Sequence, residues 1–390
     1  GVATAIILGG AGSIFWMWLT AIFGGASAFV ESTLAQIYKK KNSDGSSYGG
    51  PAYYMRDAIR FKGLGKALGV FFSIIIIFTY AVGYNMLAAY NLQSTFSTFS
   101  FYNQNSPKVI GVILAIAFGA IVIGGAKRLS DVTKILVPVM GVIYVGVALV
   151  VILMNIKNVP HMFQLIFANA FDFKAIFGGF TGSCIMFGVK RGLYSNEAGM
   201  GSAPNAAATS NVSHPVKQGL LQAFGVFVDT ILICSATGFI VLLYPEYNTI
   251  GEKGIKLTQL ALSHSVGAWG AGFITLCIFL FAFSSLVGNY YYGEANLEFL
   301  TKSKTSMLVF RVLTVACVYL GSVASLGLVW DIADVSMGIM ALMNIVVIAI
   351  LSPKAVAIIN DYIKQRKEGK NPVFRAKDIP GLENTECWDD

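Results

Sequence analysis

Ser284, Ser285 and Asn289 stand in the apolar stretch 281–294, FAFSSLVGNYYYGE, with Asn289 one helical turn beyond Ser285. Two hydroxyls and an amide on one helix offer uncharged oxygen atoms, the ligands that a hard cation such as Na+ takes. The plainer role of a serine in an apolar helix is to bond the carbonyl one turn back and let helices pack closely. The residues alone leave both roles open. Asn85, within 79–91 (TYAVGYNMLAAYN), poses the same question. A buried amide needs a partner, so it either joins two helices or faces a cavity. Asp229, Asp331 and Asp334 add carboxylates in apolar surroundings, where an acid is a functional suspect. Asp331 and Asp334 also begin an apolar run beside Trp330, where solvation or a proton relay would account for them.

A second polar cluster is the segment 188–209, GVKRGLYSNEAGMGSAPNAAAT, set between apolar runs. Lys190, Arg191, Asn196, Glu197 and Asn205 would each need partners inside lipid. Lys190 and Arg191 are expected to end a span at the inner surface. Arg191, Asn196 and Glu197 are expected to form a gate, with Glu197 in an ion pair. With Gly199 and Gly201 the segment is too polar and flexible for a plain span.

Nothing here has the spacing of a catalytic site. His161, His214 and His264 lie too far apart to argue a ligand set. Cys184, Cys234, Cys277 and Cys317 fall singly in apolar runs, where free cysteine packs as a small hydrophobe. Cys184 stands out for its place beside Gly182 and Ser183, and Cys387 lies in the tail. A membrane enzyme would need a nucleophile and base or a metal cluster, and the sequence supplies neither.

The elements that must position these residues are membrane helices. Apolar residues make up 55% of the chain and charged ones 12%, about half the charged share of a soluble domain. Apolar blocks at 14–38, 67–96, 109–125, 135–154, 175–189, 219–244, 272–292, 308–325 and 332–350 are expected to span a lipid core ~30 Å thick. The opening stretch 1–10 is too short to span and has no charged n-region or cleavage site, so it is not a signal peptide. It reads as the second half of a helix, and the chain is expected to be N-terminally truncated.

The formal charge of +8 sets orientation. Of the 28 Lys and Arg, all but Lys108, Lys157, Lys174, Lys253 and Lys256 fall in 39–66, 127–134, 190–217, 302–311 and 354–377. If each block crosses once, those two sets lie on opposite sides, the positive-inside pattern. That distribution excludes a nucleic-acid surface and makes the 39–66 loop and the tail cytoplasmic. Within 48–62 the turn Gly49-Gly50-Pro51 precedes a helix over 52–61, with Tyr54, Ala58 and Phe61 on one face and Arg56, Asp57 and Arg60 on the other. An amphipathic surface helix or an ordinary interfacial loop fits. A short element over 257–266 is expected to cap the outer face.

The chain divides at 155–173. Each half opens on an interrupted span, the second at Gly178-Gly179 and Thr181-Gly182-Ser183. Glycine-interrupted spans in corresponding positions of two halves point to an inverted repeat with a binding site at the unwound midplane.

GVATAI at 1–6, GSIFWMW at 12–18, YGGPAYYM at 48–55, GVKRGLYSNEAGMGSAPNAAA at 188–208, and LFAF with YYYGE within 280–294 are spread in order over nearly the whole chain. On these motifs it resembles the alanine or glycine:cation symporter family of amino-acid carriers. The resemblance implies an all-α integral membrane protein with a LeuT-like fold, an inverted repeat of five plus five helices. The transporter domain would cover 1–350, the first repeat about 1–155 and the second about 173–350, with a cytoplasmic tail at 351–390. It implies symport of a small neutral amino acid, usually alanine or glycine, with Na+ or H+, in a multi-pass protein held in the lipid of a bacterial inner membrane. A sensor or channel-like protein of the same fold is the alternative.

In that family GVATAI follows a glycine-rich GTGN break that serves substrate and ion, and this chain lacks it, so a chain of this length is not expected to transport. Residue by residue, the resemblance places Ser284, Ser285 and the Phe281 carbonyl at the sodium site. Thr181, Gly182, Ser183 and Cys184 fall at the break of the sixth helix. The substrate is then expected to meet these four together with Asn85, Ala88, Ser285 and Asn289. Two positions depart from the family: Asn289 stands where Trp is common, and Ala88 where Gln is. A wider, more polar pocket follows, and glutamine becomes the first candidate substrate.

Overall fold

A computed structural model describes residues 1–124, 127–179 and 183–388 of the chain. Most of the described chain is helical. α1 (Val2–Gly9) turns through Gly10 into α2 (Ser13–Ile37). A two-stranded hairpin follows, β1 (Lys40–Lys41) pairing antiparallel with β2 (Ser47–Tyr48), and then the short α3 (Pro51–Ala58). α4 (Lys62–Ile77) runs through a π-helical stretch, Phe78–Tyr84, into α5 (Asn85–Ser94). α6 (Ser106–Gly124), α7 (Lys127–Met154), α8 (Val159–Ala170) and α9 (Phe173–Gly178) complete the first part of the chain.

The second part holds α10 (Cys184–Asn196), α11 (Ala203–Ala207) and α12 (Pro215–Phe227). α12 passes through another π-helical stretch, Val228–Cys234, into α13 (Ser235–Leu242). α14 (Gly254–Val266), α15 (Trp269–Leu300), α16 (Lys304–Val323) and α17 (Leu326–Lys367) follow. Among the described residues 8 helices are long and apolar enough to cross a membrane. The protein is therefore an all-α, multi-pass membrane protein.

The block at 175–189, expected to be an interrupted span, falls on two helices. α9 stops at Gly178, and α10 starts at Cys184, where the Ser183 hydroxyl accepts the Met186 N–H at 3.3 Å. α10 then runs beyond 189 to Asn196, so the second helix is longer than expected. The last span was expected to end at 350, but α17 continues through Pro353 to Lys367. α3 is shorter and deeper than an amphipathic surface helix over 52–61. Tyr53, Tyr54, Met55 and Ala58 are all buried, and Phe61 lies beyond the helix end at 72% exposure. α14 forms over the expected outer-face element and is anchored by Gln259, whose amide donates to the Thr95 carbonyl and the Thr275 hydroxyl, both at 2.9 Å.

Small residues decide the tightest packing. Gly188 and Gly192, one turn apart on α10, let it lie directly on α2. A Cβ at Gly188 would stand 2.5 Å from Trp16 Cβ and 2.7 Å from the Ser13 carbonyl. Lipid supplies no hydrophobic drive between helices, so close approach of this kind is what joins them. The start of α2 is tied to the end of α8 by Gly12 N–H donating to Asn169 Oδ1 at 2.9 Å and Trp16 Nε1 donating to the Ala170 carbonyl at 3.2 Å.

Candidate functional site

Asn85 follows directly on the π-helical stretch of α4–α5, a backbone irregularity common at functional positions. It is fully buried, and its Oδ1 accepts Asn289 Nδ2 of α15 at 3.0 Å. Its own amide nitrogen reaches the Ala81 carbonyl at 3.4 Å. Ala88, one turn on, belongs to the same buried apolar cluster as Ala282 and Leu286 of α15. The structure thus gathers Asn85, Ala88 and Asn289 at one helix contact.

The remaining expected substrate and ion residues divide. Ser284 and Ser285 both donate to the Phe281 carbonyl, at 2.9 and 2.8 Å, which collects three oxygens at one point of α15. This is the bonding of the plainer reading, and Ser285 lies on the exposed face of α15. Cys184 is buried with its Sγ toward the Asn169 carbonyl at 3.5 Å, on the α8 side. Ser183 serves as the cap of α10. Thr181 and Gly182 lie outside the described residues.

The polar segment after α10 is stitched down from every side. Glu31 of α2 is fully buried, and its two carboxylate oxygens accept the N–H groups of Gly199 and Gly201, each at 3.0 Å. Asn344 Nδ2 of α17 donates to Glu31 Oε2 at 2.8 Å and to the Gly199 carbonyl at 2.9 Å. Asn296 Nδ2 of α15 donates to Asn205 Oδ1 at 3.0 Å, and Asn205 in turn donates to the Gly201 and Ser202 carbonyls. Gly199 and Gly201 have φ of +76° and +82°, a backbone that side-chain-bearing residues avoid. It turns their N–H groups onto the one carboxylate.

Arg191 corrects an expectation. It does not end a span at the surface: it is 2% exposed, two turns into α10. Its Nη2 donates to Asp334 Oδ2 of α17 at 2.7 Å, and the guanidinium lies 3.6 Å over the Trp330 ring. Charge pairing and the indole face together let a guanidinium stay buried. Lys190 reaches the same carboxylate at 3.5 Å. Glu197 is not in an ion pair among the described residues; it accepts the Ser202 hydroxyl at 2.7 Å and has a left-handed φ of 55° at the end of α10. Asn196 donates to Thr230 Oγ1 at 3.1 Å and accepts the Ala198 N–H at 3.0 Å. Arg191 therefore binds α10 to α17, while Asn196 and Glu197 shape the turn beyond it. Asp331 is exposed near the start of α17.

The sodium:alanine symporter family profile matches residues 1–376. The chain belongs to the sodium:alanine symporter family. It is 48% identical over 392 residues to the amino-acid carrier protein AlsT of Bacillus subtilis (strain 168), covering 100% of this chain and 82% of that protein. It is also 48% identical over 391 residues to the probable sodium/glutamine symporter GlnT of the same organism, covering 100% and 80%. The sodium/proton-dependent alanine carrier protein of Bacillus sp. (strain PS3) is 36% identical over 411 residues, covering 100% and 89%. The family is one of sodium-coupled transporters, and relatives are named as sodium- or sodium/proton-dependent carriers.

Sequence reasoning passed over Glu31 and Asn344 of this symporter. The signal was present in FVESTLAQI at 29–37: an acid inside an apolar helix, the sign that had drawn attention to Asp229 and Asp334. What the sequence does not show is that its partners are two backbone N–H groups from a segment far along the chain.

Proposed function

We propose that this symporter carries a neutral amino acid into the cell with Na+ by alternating access, in a LeuT-like arrangement of two inverted five-helix repeats. The substrate carboxylate would be held by free backbone N–H groups at the interrupted helices, as helix N-termini hold anions. Ser183 at the start of α10 stands at one such end. The substrate side chain would face Asn85, Ala88 and Asn289. Ser284, Ser285 and the Phe281 carbonyl are the candidate sodium ligands on α15, the hydroxyls turning from the carbonyl to the ion when it arrives. Asn196 and Glu197 belong to the inner gate, with Arg191 fixing its helix. We place the protein in the bacterial inner membrane.

The observation that carries this reading is the buried Asn85–Asn289 pair. An amide pair in an apolar core has two spare donors and acceptors to offer a polar side chain, and none of the bulk of an indole. We therefore take glutamine as the preferred substrate over alanine, in keeping with the name of the GlnT relative. Currents or uptake driven by alanine and by glutamine, compared in the wild type and in Asn289→Trp, test it. The expected result is a glutamine preference that Asn289→Trp abolishes while alanine transport survives. Equal responses to both, lost together in the variant, would refute the preference.

A further inference from the structure

The chain beyond α17 folds back across the cytoplasmic ends of the helices. Asn371 Oδ1 accepts Lys217 Nζ at 2.7 Å, and Phe374 N–H donates to the Ser213 carbonyl at 2.9 Å. The Phe374 ring is buried between Trp388 and His214, at centroid distances of 5.2 and 5.4 Å. Further on, Asn384 Nδ2 donates to the Asp57 carbonyl of α3 at 3.1 Å. Glu386 accepts the Lys41 N–H at 3.1 Å and pairs with Lys40 at 3.6 Å. Trp388 Nε1 donates to the Gln36 carbonyl at 2.7 Å, and Lys39 Nζ lies 4.9 Å over its ring. One segment thus holds the end of α2, the hairpin, α3 and the start of α12.

The same residues grip the gate segment. Gln36 Nε2 donates to the Ala207 and Ser210 carbonyls, and Lys39 Nζ donates to the Ser210 carbonyl at 3.1 Å. Trp388 holds both from the other side. Asn384, Glu386 and Trp388 lie past residue 376, where the family match ends. Most of these ties are surface bonds that must offset the entropy of ordering the segment, a balance suited to reversible release.

We propose that residues 371–388 are a strap that clamps the cytoplasmic ends of the two halves and must lift before the site opens to the cytoplasm. The strap slows inward opening in the resting transporter. This rests on the alternating-access reading above.

The test uses the full-length protein in a Cys387→Ser background, with two readouts. One is Na+-driven initial uptake. The other is alkylation of Cys234 by N-ethylmaleimide, followed by mass spectrometry. Cys234 is buried against the Ser195 hydroxyl of α10 at 3.0 Å, behind the gate segment. Trp388→Ala is expected to raise Cys234 alkylation about threefold or more and to speed uptake. Trp388→Phe keeps the ring contacts, loses the bond to Gln36, and should lie between. Unchanged or slower alkylation in Trp388→Ala, with the tail newly open to protease, would overturn the strap. Should Trp388→Ala fail to fold, Asn384→Ala combined with Glu386→Ala at exposed positions gives the same decision. Alkylation needs no substrate, so loss of the strap idea and loss of the symport reading are told apart: uptake without an alkylation change sinks only the strap.

Discussion

Asn289 Nδ2 of α15 donates to Asn85 Oδ1 of α5 at 3.0 Å, and both side chains are buried. Neither amide spends its full capacity on the other. Asn85→Ala is expected to leave Asn289 unpaired at a cost of about 1 kcal/mol, the usual size of an interhelical membrane bond. Transport should suffer more. If the pair reads the substrate side chain, the glutamine KM rises about tenfold, equal to about 1.4 kcal/mol, while that for alanine changes little. Parallel KM measurements on the two substrates, with thermal unfolding of the purified variant, check both parts.

Glu31 is the pin of the polar segment that follows α10. Glu31→Ala removes the acceptor of two backbone N–H groups and an amide, leaving buried donors that cost about 1–3 kcal/mol each. Glu31→Gln keeps the shape and one oxygen. The alanine variant should therefore be destabilised by several kcal/mol and lose transport, and the glutamine variant by clearly less. Unfolding midpoints in detergent decide it, and equal midpoints would dissolve the role assigned to the carboxylate.

Gly201 supplies a matched pair of substitutions with Gly45. Their φ angles are nearly the same, +82° and +83°. A Cβ at Gly201 would meet Phe72 Cζ at 2.6 Å and Pro51 Cγ at 2.9 Å, whereas one at Gly45 meets nothing within 4 Å. Gly45→Ala should cost only backbone strain, about 1 kcal/mol. Gly201→Ala adds overpacking of about 1–3 kcal/mol and disturbs the Glu31 bond. Comparing the two midpoints removes the shared backbone strain and leaves the packing and Glu31-bond contributions together.

His214 makes the docking of the tail pH-dependent. Burial holds its imidazole below the usual value, the Asp361 carboxylate at 3.2 Å opposes that, and nearby Lys217 adds to the lowering. Its Nδ1 accepts the Val216 N–H at 3.2 Å, so a proton there would break the cap of α12. The folded state prefers the neutral ring. Its contribution is therefore full above the unfolded value of about 6.5 and is lost as pH falls through that value toward the lower folded one. Hydrogen exchange at Val216 and Phe374, corrected for intrinsic rate, should quicken below about pH 6.5. His214→Asn, which keeps a cap acceptor, should flatten that dependence.

Much of this was legible from the residues. Length and apolarity locate the long spans, because a helix must satisfy its own backbone in lipid. Gly178-Gly179 and Ser183 mark the interruption before α10, and the motifs of 188–208 mark the family. Asn85 and Asn289 were each flagged as amides in apolar helices; that they bond one another is tertiary information no local pattern holds. Arg191 was misplaced because a basic residue after an apolar block reads as a span end. Its partner Asp334 stands 143 residues away. Glu31 was missed for a related reason, since two of its partners are backbone N–H groups with no side-chain signature and the third, Asn344, stands 313 residues away.

The central claim is tested most directly by uptake of labelled glutamine, alanine and glycine into proteoliposomes of the full-length protein, with an imposed Na+ gradient and without one. The account predicts Na+-gradient-driven accumulation led by glutamine and abolished when the gradient is collapsed. Accumulation indifferent to the gradient, or none of any of the three under Na+ or H+ gradients, would contradict it.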